Sequence, residues 1–320
     1  MTKRSRYLLL LLLIPCLVAC RSKENTSHPK GKELRIGILQ YMEHDSLSAA
    51  RKGFEKELVK AGYKKGHNMV LDYQNAQGEQ AQLQTIAEKM VAKDDLILAI
   101  ATPATQALAR VSSETPILFT AVTDPVSAGL VDSIQKPGGL ITGTSDLAPI
   151  DKQIGSAQQA LPQAKKVGIL YTTSEGNSEV QVKEASKEFE KKGYQIIKKG
   201  ISSSNDVQDA TASLMKDVDF VFVPTDNTIA STMSMIGELS RTHKVPVIGG
   251  STDMVDAGGL LTYGTNYEQL GRQVARMAIQ VLKGKNPADL AVQYPKKLDL
   301  HINHEMAQQL GIDLSQLTKD

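Results

Sequence analysis

The sequence predicts an α/β protein of two similar lobes, each a parallel sheet flanked by helices. Three observations predict it. Short β-branched apolar runs alternate with longer amphipathic stretches, the order that builds a parallel sheet covered by helices on both faces. The same order of runs then recurs, with matching segments offset by 129 to 135 residues. The length of 320 residues suits two domains of roughly 100–200 residues each.

The elements follow in order. Lys3, Arg4 and Arg6 precede an apolar run from Leu8 to Ala19. A basic start before a short apolar stretch reads as a secretory signal. The run is shorter than the roughly 20 residues that a membrane span needs. Its end, Leu17-Val18-Ala19-Cys20, resembles the bacterial lipobox. That resemblance implies cleavage before Cys20 and diacylation of Cys20, with residues 1–19 as the signal peptide. Removing them takes away three basic side chains and no acidic one. The charge then changes from +2, with 37 basic and 35 acidic groups, to −1, with 34 and 35. Neither value suggests a nucleic-acid surface, and no nucleic-acid partner is expected. Residues 20–33 are polar and aperiodic and read as a flexible tether, reaching at most about 45 Å at roughly 3.5 Å per residue.

Beyond the tether, 41% hydrophobic and 22% charged residues suit a chain that buries a core rather than a disordered one. Cys16 and Cys20 are the two cysteines. The folded part therefore has no disulfide, thiol nucleophile or cysteine metal ligand. Leu34–Leu39 is the first strand. The helix from Ser46 to Ala61 follows, with Leu47, Ala50, Phe54 and Leu58 on one face and Gly62 as its stop. Val70–Tyr73, Leu96–Ile100 and Ile117–Phe119 are further strands, and Gln80–Ala92 is a helix. Thr102 suits an N-cap with Pro103 at the first helical position. In the second copy, Val167–Leu170, Phe220–Val223 and Val245–Ile248 are strands. The repeat pairs Arg35-Ile-Gly-Ile-Leu39 with Lys166-Val-Gly-Ile-Leu170, Phe54-Glu-Lys56 with Phe189-Glu-Lys191, and Gly62-Tyr63 with Gly193-Tyr194. Two copies make paired lobes, where a solenoid would need about three or more shorter repeats. Lobe one is expected over residues 34–146 plus 253–284, and lobe two over 147–252 plus 285–320.

Ligands of open parallel sheets bind beyond the carboxyl ends of the strands. The residues there are short and polar: Gln40, Tyr41 and His44; Thr102 and Thr105; Ala121, Thr123 and Asp124; Ser145; Tyr171, Glu175 and Asn177; Thr225, Asp226 and Asn227; Ser251 and Asp253. They suit a zwitterion. A carboxylate would meet the helix opened by Thr102, with the Ala121 N–H and the Thr123 hydroxyl. An ammonium group would meet Asp226 or Glu175. Tyr41, Phe119 and Tyr171 would line a side-chain pocket. No nucleophile is paired with a base, so no catalytic residue is expected. His301 and His304 could share a helical face, but no third ligand accompanies them, and neither a metal nor a cofactor is expected.

Several motifs carry a family resemblance: Gly66-His-Asn-Met-Val70, Asn75-Ala-Gln-Gly78, Thr102-Pro-Ala-Thr-Gln106, Ala121-Val-Thr-Asp-Pro125, Thr142-Gly-Thr-Ser-Asp146, Tyr171 with Glu175-Gly-Asn-Ser178, Pro224-Thr-Asp-Asn-Thr228, and Ala288-Asp289. Together, Leu34 to about Leu314 resembles the bacterial ABC-transporter substrate-binding proteins related to the tryptophan-binding lipoproteins. The resemblance implies a type I periplasmic-binding-protein fold with two lobes, three crossing segments and a ligand in the cleft. It suggests an aromatic L-amino acid as ligand. It also implies an ABC permease with its ATPase subunit as partner, and a place on the extracytoplasmic face of the cell membrane, held by lipid. A monomer is expected. The chain departs from the family at Gly139-Leu140-Ile141-Thr142, where an asparagine would precede the threonine. A ligand-sensing receptor remains an alternative, as do a nucleoside, a peptide or a branched amino acid as ligand. An enzyme on the same fold would need the nucleophile and base that the sequence lacks.

Overall fold

A computed structural model of the chain describes residues 33–315 and 317. Cys20, the signal peptide and residues 20–32 of the tether lie outside the described residues. The first sheet is built from β1 (Leu34–Gln40), β2 (Met69–Asn75), β3 (Leu96–Ile100), β4 (Ile117–Val122) and β5 (Ile141–Ser145), in the order β2-β1-β3-β4-β5 with every pair parallel. Its connections are α1 (Asp45–Lys60), α2 (Gln80–Val91) and α3 (Thr102–Val111). Then come α4 (Ile150–Ala160), β6 (Lys166–Thr172), α5 (Gly176–Lys191), β7 (Gln195–Ile201), α6 (Val207–Leu214), β8 (Phe220–Phe222), α7 (Asn227–Ala230), α8 (Met233–His243) and β9 (Val247–Ile248). The chain ends with α9 (Thr252–Asp256), β10 (Leu261–Thr265), α10 (Tyr267–Leu282), β11 (Leu298–Ile302) and α11 (His304–Leu310).

The second sheet has the order β7-β6-β8-β9-β10-β11. Its first five strands repeat the order of the first sheet, so the internal repeat is visible as topology. The sequence did not show that β11 runs antiparallel to β10 at the edge. The equivalent aromatic residues anchor equivalent helices. Phe54 of α1 and Phe189 of α5 are both fully buried. Phe189 meets Tyr194, Phe220 and Phe222 at centroid distances of 5.4, 5.9 and 5.6 Å.

Two expected boundaries move. The strand Leu261–Thr265 pairs with Ile248 and with β11, so residues 253–265 belong with the second sheet rather than the first lobe. The return to lobe one starts with α10, which packs along α1. Residues 285–293 then stay with lobe one. The Thr142 hydroxyl donates to the Leu290 carbonyl at 2.6 Å, and Gln293 bridges to Thr144. The chain thus crosses between lobes three times: after Ser145, between Thr265 and Tyr267, and between Gln293 and Leu298. His301 lies on β11 and His304 opens α11, so the two do not share a helical face.

The α1–α10 contact is close because both helices present glycine. A Cβ on Gly271 would stand 1.9 Å from the Ala50 carbonyl oxygen, and one on Gly53 would stand 2.0 Å from that of Glu268. Ion pairs of Glu57 with Arg272 and Arg276 run along the rim, but partly exposed pairs contribute little. Gly271→Ala is therefore expected to lower unfolding free energy by about 1–3 kcal/mol, the usual range for overpacking. Urea denaturation checks it, and wild-type stability in that variant would contradict the contact.

Candidate functional site

Parallel strands of both sheets end at one crevice, where the lobes touch through side chains. Thr123 Oγ1 and Thr225 Oγ1 are 3.2 Å apart, Ser46 Oγ and Ser251 Oγ 3.1 Å, and His44 Nε2 and Asn227 Oδ1 3.3 Å. Each of these pairs crosses from lobe one to lobe two. Two spaces remain between the lobes. A cavity of about 20 Å³ lies beside the crossings, near Asp146 and Tyr267. A chamber of about 500 Å³ lies between α3, the start of α5 and Tyr41. Asn177 lines both.

Lobe one shapes its rim by backbone strain. Ala101 and Ala121, at the ends of adjacent strands, have φ of +82° and +56°. That region is uncommon for any residue but glycine, and such strain clusters at functional sites. At Ala121 the β4–β5 register shifts between Phe119 and Val122. At Ala101 the strained residue is itself the N-cap of α3. Thr102 is then the first helical residue and Pro103 the second, one position later than the sequence suggested. The hydroxyl of Thr102 is consequently not used as a cap. It is buried without a partner in the cleft.

Lobe two shapes its rim with two buried carboxylates. Asp226, 1% exposed, caps α7 by accepting the Ile229 N–H at 3.0 Å. It also accepts from Thr172 N–H at 2.6 Å, Thr172 Oγ1 at 2.8 Å and Ser178 Oγ at 2.8 Å. Glu175 accepts from the N–H groups of Asn227 and Thr228 at 3.0 and 2.9 Å, and from their side chains at 2.6 and 2.8 Å. Burial, with the charge of Glu175 beside it, pushes the Asp226 carboxyl up to about 7. Both acids are thus occupied by their own lobe. Asp226 was expected to present a free counter-charge, and the structure corrects this. Its four acceptor positions are filled.

The remaining expected residues divide by location. Tyr41, Thr102 and Asp124 line the chamber; Ala121, Thr123, Thr225, Asp226, Asn227 and Ser251 line the small cavity. Glu175 acts behind Asn227. Asp253 lies beside Ser46, with Oδ2 buried without a partner and its carboxyl raised by burial. Ser145 donates to the Thr123 carbonyl at 2.8 Å and so orients that loop. Gln40 is buried among Met42 and Glu43, and Thr105 bonds back to the Ala101 carbonyl at 2.9 Å; neither lines a space in the cleft. Phe119 is wholly inside the lobe-one core. Tyr171 lies on the outer side of β6, beside Lys183 and Lys198. Strand alternation explains it, since Thr172 faces Asp226 and its neighbour must face away.

Asp146 escaped the site expected from sequence, and His44, placed after the first strand, was given no role there. His44 holds Asn227 across the cleft, and its Nδ1 is buried without a partner. Asp146 is 3% exposed. Its Oδ2 accepts from the Tyr267 hydroxyl at 2.6 Å, while Oδ1 is buried without a partner. Burial raises the carboxyl of Asp146 and lowers the imidazolium of His44. Among the described residues, no group of histidine, cysteine and acidic side chains could hold a metal ion.

A family model described as ABC transporter substrate binding protein matches residues 35–318. The chain is 42% identical over 300 residues to a tyrosine-binding protein of Clostridioides difficile, covering 93% of this chain and 86% of that one. A Streptococcus pneumonia ABC domain in complex with L-Trp superimposes with a TM-score of 0.85 at 36% identity, covering 88% of this chain and 96% of that one. The ligand-free, open structure of a Clostridium difficile substrate binding protein gives 0.68 at 40% identity, covering 88% and 95%. The identity is higher and the score lower against the ligand-free, open structure. The chain superimposes more closely on the structure in complex with L-Trp than on the open one.

Asp226→Ala is expected to destabilise the ligand-free protein by about 2–3 kcal/mol, because two backbone N–H groups and two hydroxyls lose a charged partner at once. Thermal unfolding checks this; an unchanged midpoint would mean that water replaces the carboxylate without cost.

Proposed function

The chain belongs to the ABC transporter substrate-binding protein family, and on that premise we propose that it captures an aromatic L-amino acid between its lobes. We propose further that lipid on Cys20 holds it on the extracytoplasmic face of the cell membrane, where it delivers the ligand to an ABC permease and its ATPase subunit. The observation that carries the ligand reading is the set of buried, unpartnered polar atoms gathered at one cleft. They are Thr102 Oγ1, His44 Nδ1, Asp146 Oδ1 and Asn177 Oδ1. Buried polar atoms are ordinarily paired, so a ligand with both donors and acceptors is the natural complement.

The spaces suit an amino acid. The cavity of about 20 Å³ accepts little more than one water-sized group, for which about 10–15 Å³ suffices. The chamber of about 500 Å³ has room for an aromatic side chain, with Tyr41 and Pro103 as its flat surfaces. Burial and nearby acids push the Tyr41 hydroxyl up to about 12, so it stays neutral. The carboxylate is assigned to the start of α3, with Thr102, Ala121 and Thr123, where free N–H groups and the helix dipole favour an anion. The ammonium is assigned to the acidic, hinge-side part of the cleft. The names of the tyrosine-binding and L-Trp-bound relatives support the aromatic side chain.

Titration calorimetry with L-tyrosine, L-tryptophan, L-leucine and a nucleoside tests the reading. Tighter binding of the aromatic pair is expected, and binding of the nucleoside alone would contradict it. The pH dependence has a definite sign. Below about 7 the ligand-free cleft retains a proton on Asp226, and a cationic ligand must expel it. Affinity should therefore fall as pH is lowered from about 8 to about 6, with proton release on binding in that window. A flat profile would contradict an ammonium seat near these acids.

The anchor has its own test. Two acyl chains give stable attachment where one gives marginal binding. Cys20→Ala should move the protein from the membrane to the soluble fraction and abolish labelling by a radiolabelled fatty acid. A wild-type protein that takes up no label would contradict the lipobox reading.

A further inference from the structure

We propose that Asp146 takes the ligand's ammonium group, in a seat formed where two crossing segments meet and completed by His44. This rests on the amino-acid reading above and names the residue that carries it. Asp146 follows β5, where the chain first leaves lobe one, and Tyr267 opens α10, where the chain has just returned. Their hydrogen bond of 2.6 Å clamps two of the three crossings together. It uses one carboxylate oxygen. The Thr123 hydroxyl lies near the carboxylate as well, but Oδ1 is buried with no donor in hydrogen-bonding geometry, in a residue lining the small cavity.

The chemistry of that cavity is one-sided. No lysine or arginine lines it. Asp226 lines it too, but its oxygens are filled by donors of lobe two. His44 supplies a second acceptor. The Asn227 amide nitrogen donates to Glu175, which leaves its oxygen facing His44 Nε2. Nε2 must then carry the imidazole proton, and Nδ1, buried without a partner, is the bare acceptor. Two acceptors without a donor, one of them anionic, fit a small cation with several N–H groups. A carboxylate isolated from counter-charge is costly unless something pairs with it. A bound ammonium meets that need and rests against both crossings, so occupancy and closure act on one pair of residues.

Asp146→Asn tests the assignment, because the amide keeps an oxygen for Tyr267 and removes only the charge. The probes are L-tyrosine, L-tryptophan, L-leucine and 3-(4-hydroxyphenyl)propionate, which is L-tyrosine without its amino group. Wild type should prefer L-tyrosine to the deamino acid by tenfold or more. In Asp146→Asn, L-tyrosine should weaken at least tenfold while the deamino acid binds unchanged or tighter. The unfolding midpoint of the ligand-free variant should equal or exceed that of wild type, since an unpaired buried charge is gone. Asp146→Ser provides a second, smaller variant with the same expected pattern. Equal weakening of both ligands, or a preference for the amine that survives in both variants, would overturn the proposal. Failure of wild type to bind any of the amino acids would instead defeat the ligand reading on which it stands.

Discussion

The cleft depends on how the second lobe buries two acids side by side. Glu175 and Asp226 are each 1% exposed, and neither has a basic partner among the contacts described. Every donor they receive is neutral and local: backbone N–H groups, hydroxyls and amides from the starts of α5 and α7 and the end of β6. Charge-assisted bonds of this kind are strong and directional. They bind the β8–α7 turn to the start of α5 and hold the rim of lobe two in place before anything enters. The cost of burying the pair shows in the raised Asp226 carboxyl.

Lobe one reaches the cleft by a different route. Its rim is held by two alanines in strained backbone, Ala101 and Ala121, and its polar side chains are left unspent. Thr102, His44 and Asp146 each keep a buried atom without a partner. The lobes are thus unequal. The second buries its two acids fully paired, with Asn177 Oδ1 and Asp253 Oδ2 left over, and the first contributes Thr102, His44 and Asp146 to the groups that a ligand would complete. The neutral hydroxyl contacts that join them, Thr123 with Thr225 and Ser46 with Ser251, contribute about 0.5–1.5 kcal/mol each at most. Three crossings between lobes permit hinge motion, and such weak contacts do not lock it.

Much of this was legible in the sequence because the signals were local. Strand-helix alternation and the Phe54/Phe189 and Gly62/Gly193 pairs are short-range patterns, and they appear as two sheets of one strand order. The path of the chain after Asp253 was not legible. Whether Leu261–Thr265 adds to one sheet or the other is decided by β9 and β11, not by its own residues. Phe119 and Tyr171 were misplaced because their strands run on past the ends read from sequence, to Val122 and Thr172, so both residues lie within the sheet. Asp226 and Asp146 look alike in sequence, each an acid in a polar loop. What separates them is their partners. Asp226 is filled by Thr172, Ser178 and Ile229, and Asp146 meets Tyr267, 121 residues away, with the Thr123 hydroxyl beside it.

On the proposed reading, the cleft is a preorganised site whose unpartnered polar groups are completed by a zwitterion. Its likeness to the L-Trp complex, at a TM-score of 0.85 against 0.68 for the open relative, makes lobe closure the property to measure. Small-angle X-ray scattering of the protein, with and without saturating L-tyrosine, does so directly. A smaller radius of gyration on adding the ligand is predicted, with the bound curve matching the arrangement described. Bound ligand, verified by calorimetry, with no change in the scattering curve from an open form would contradict closure around it.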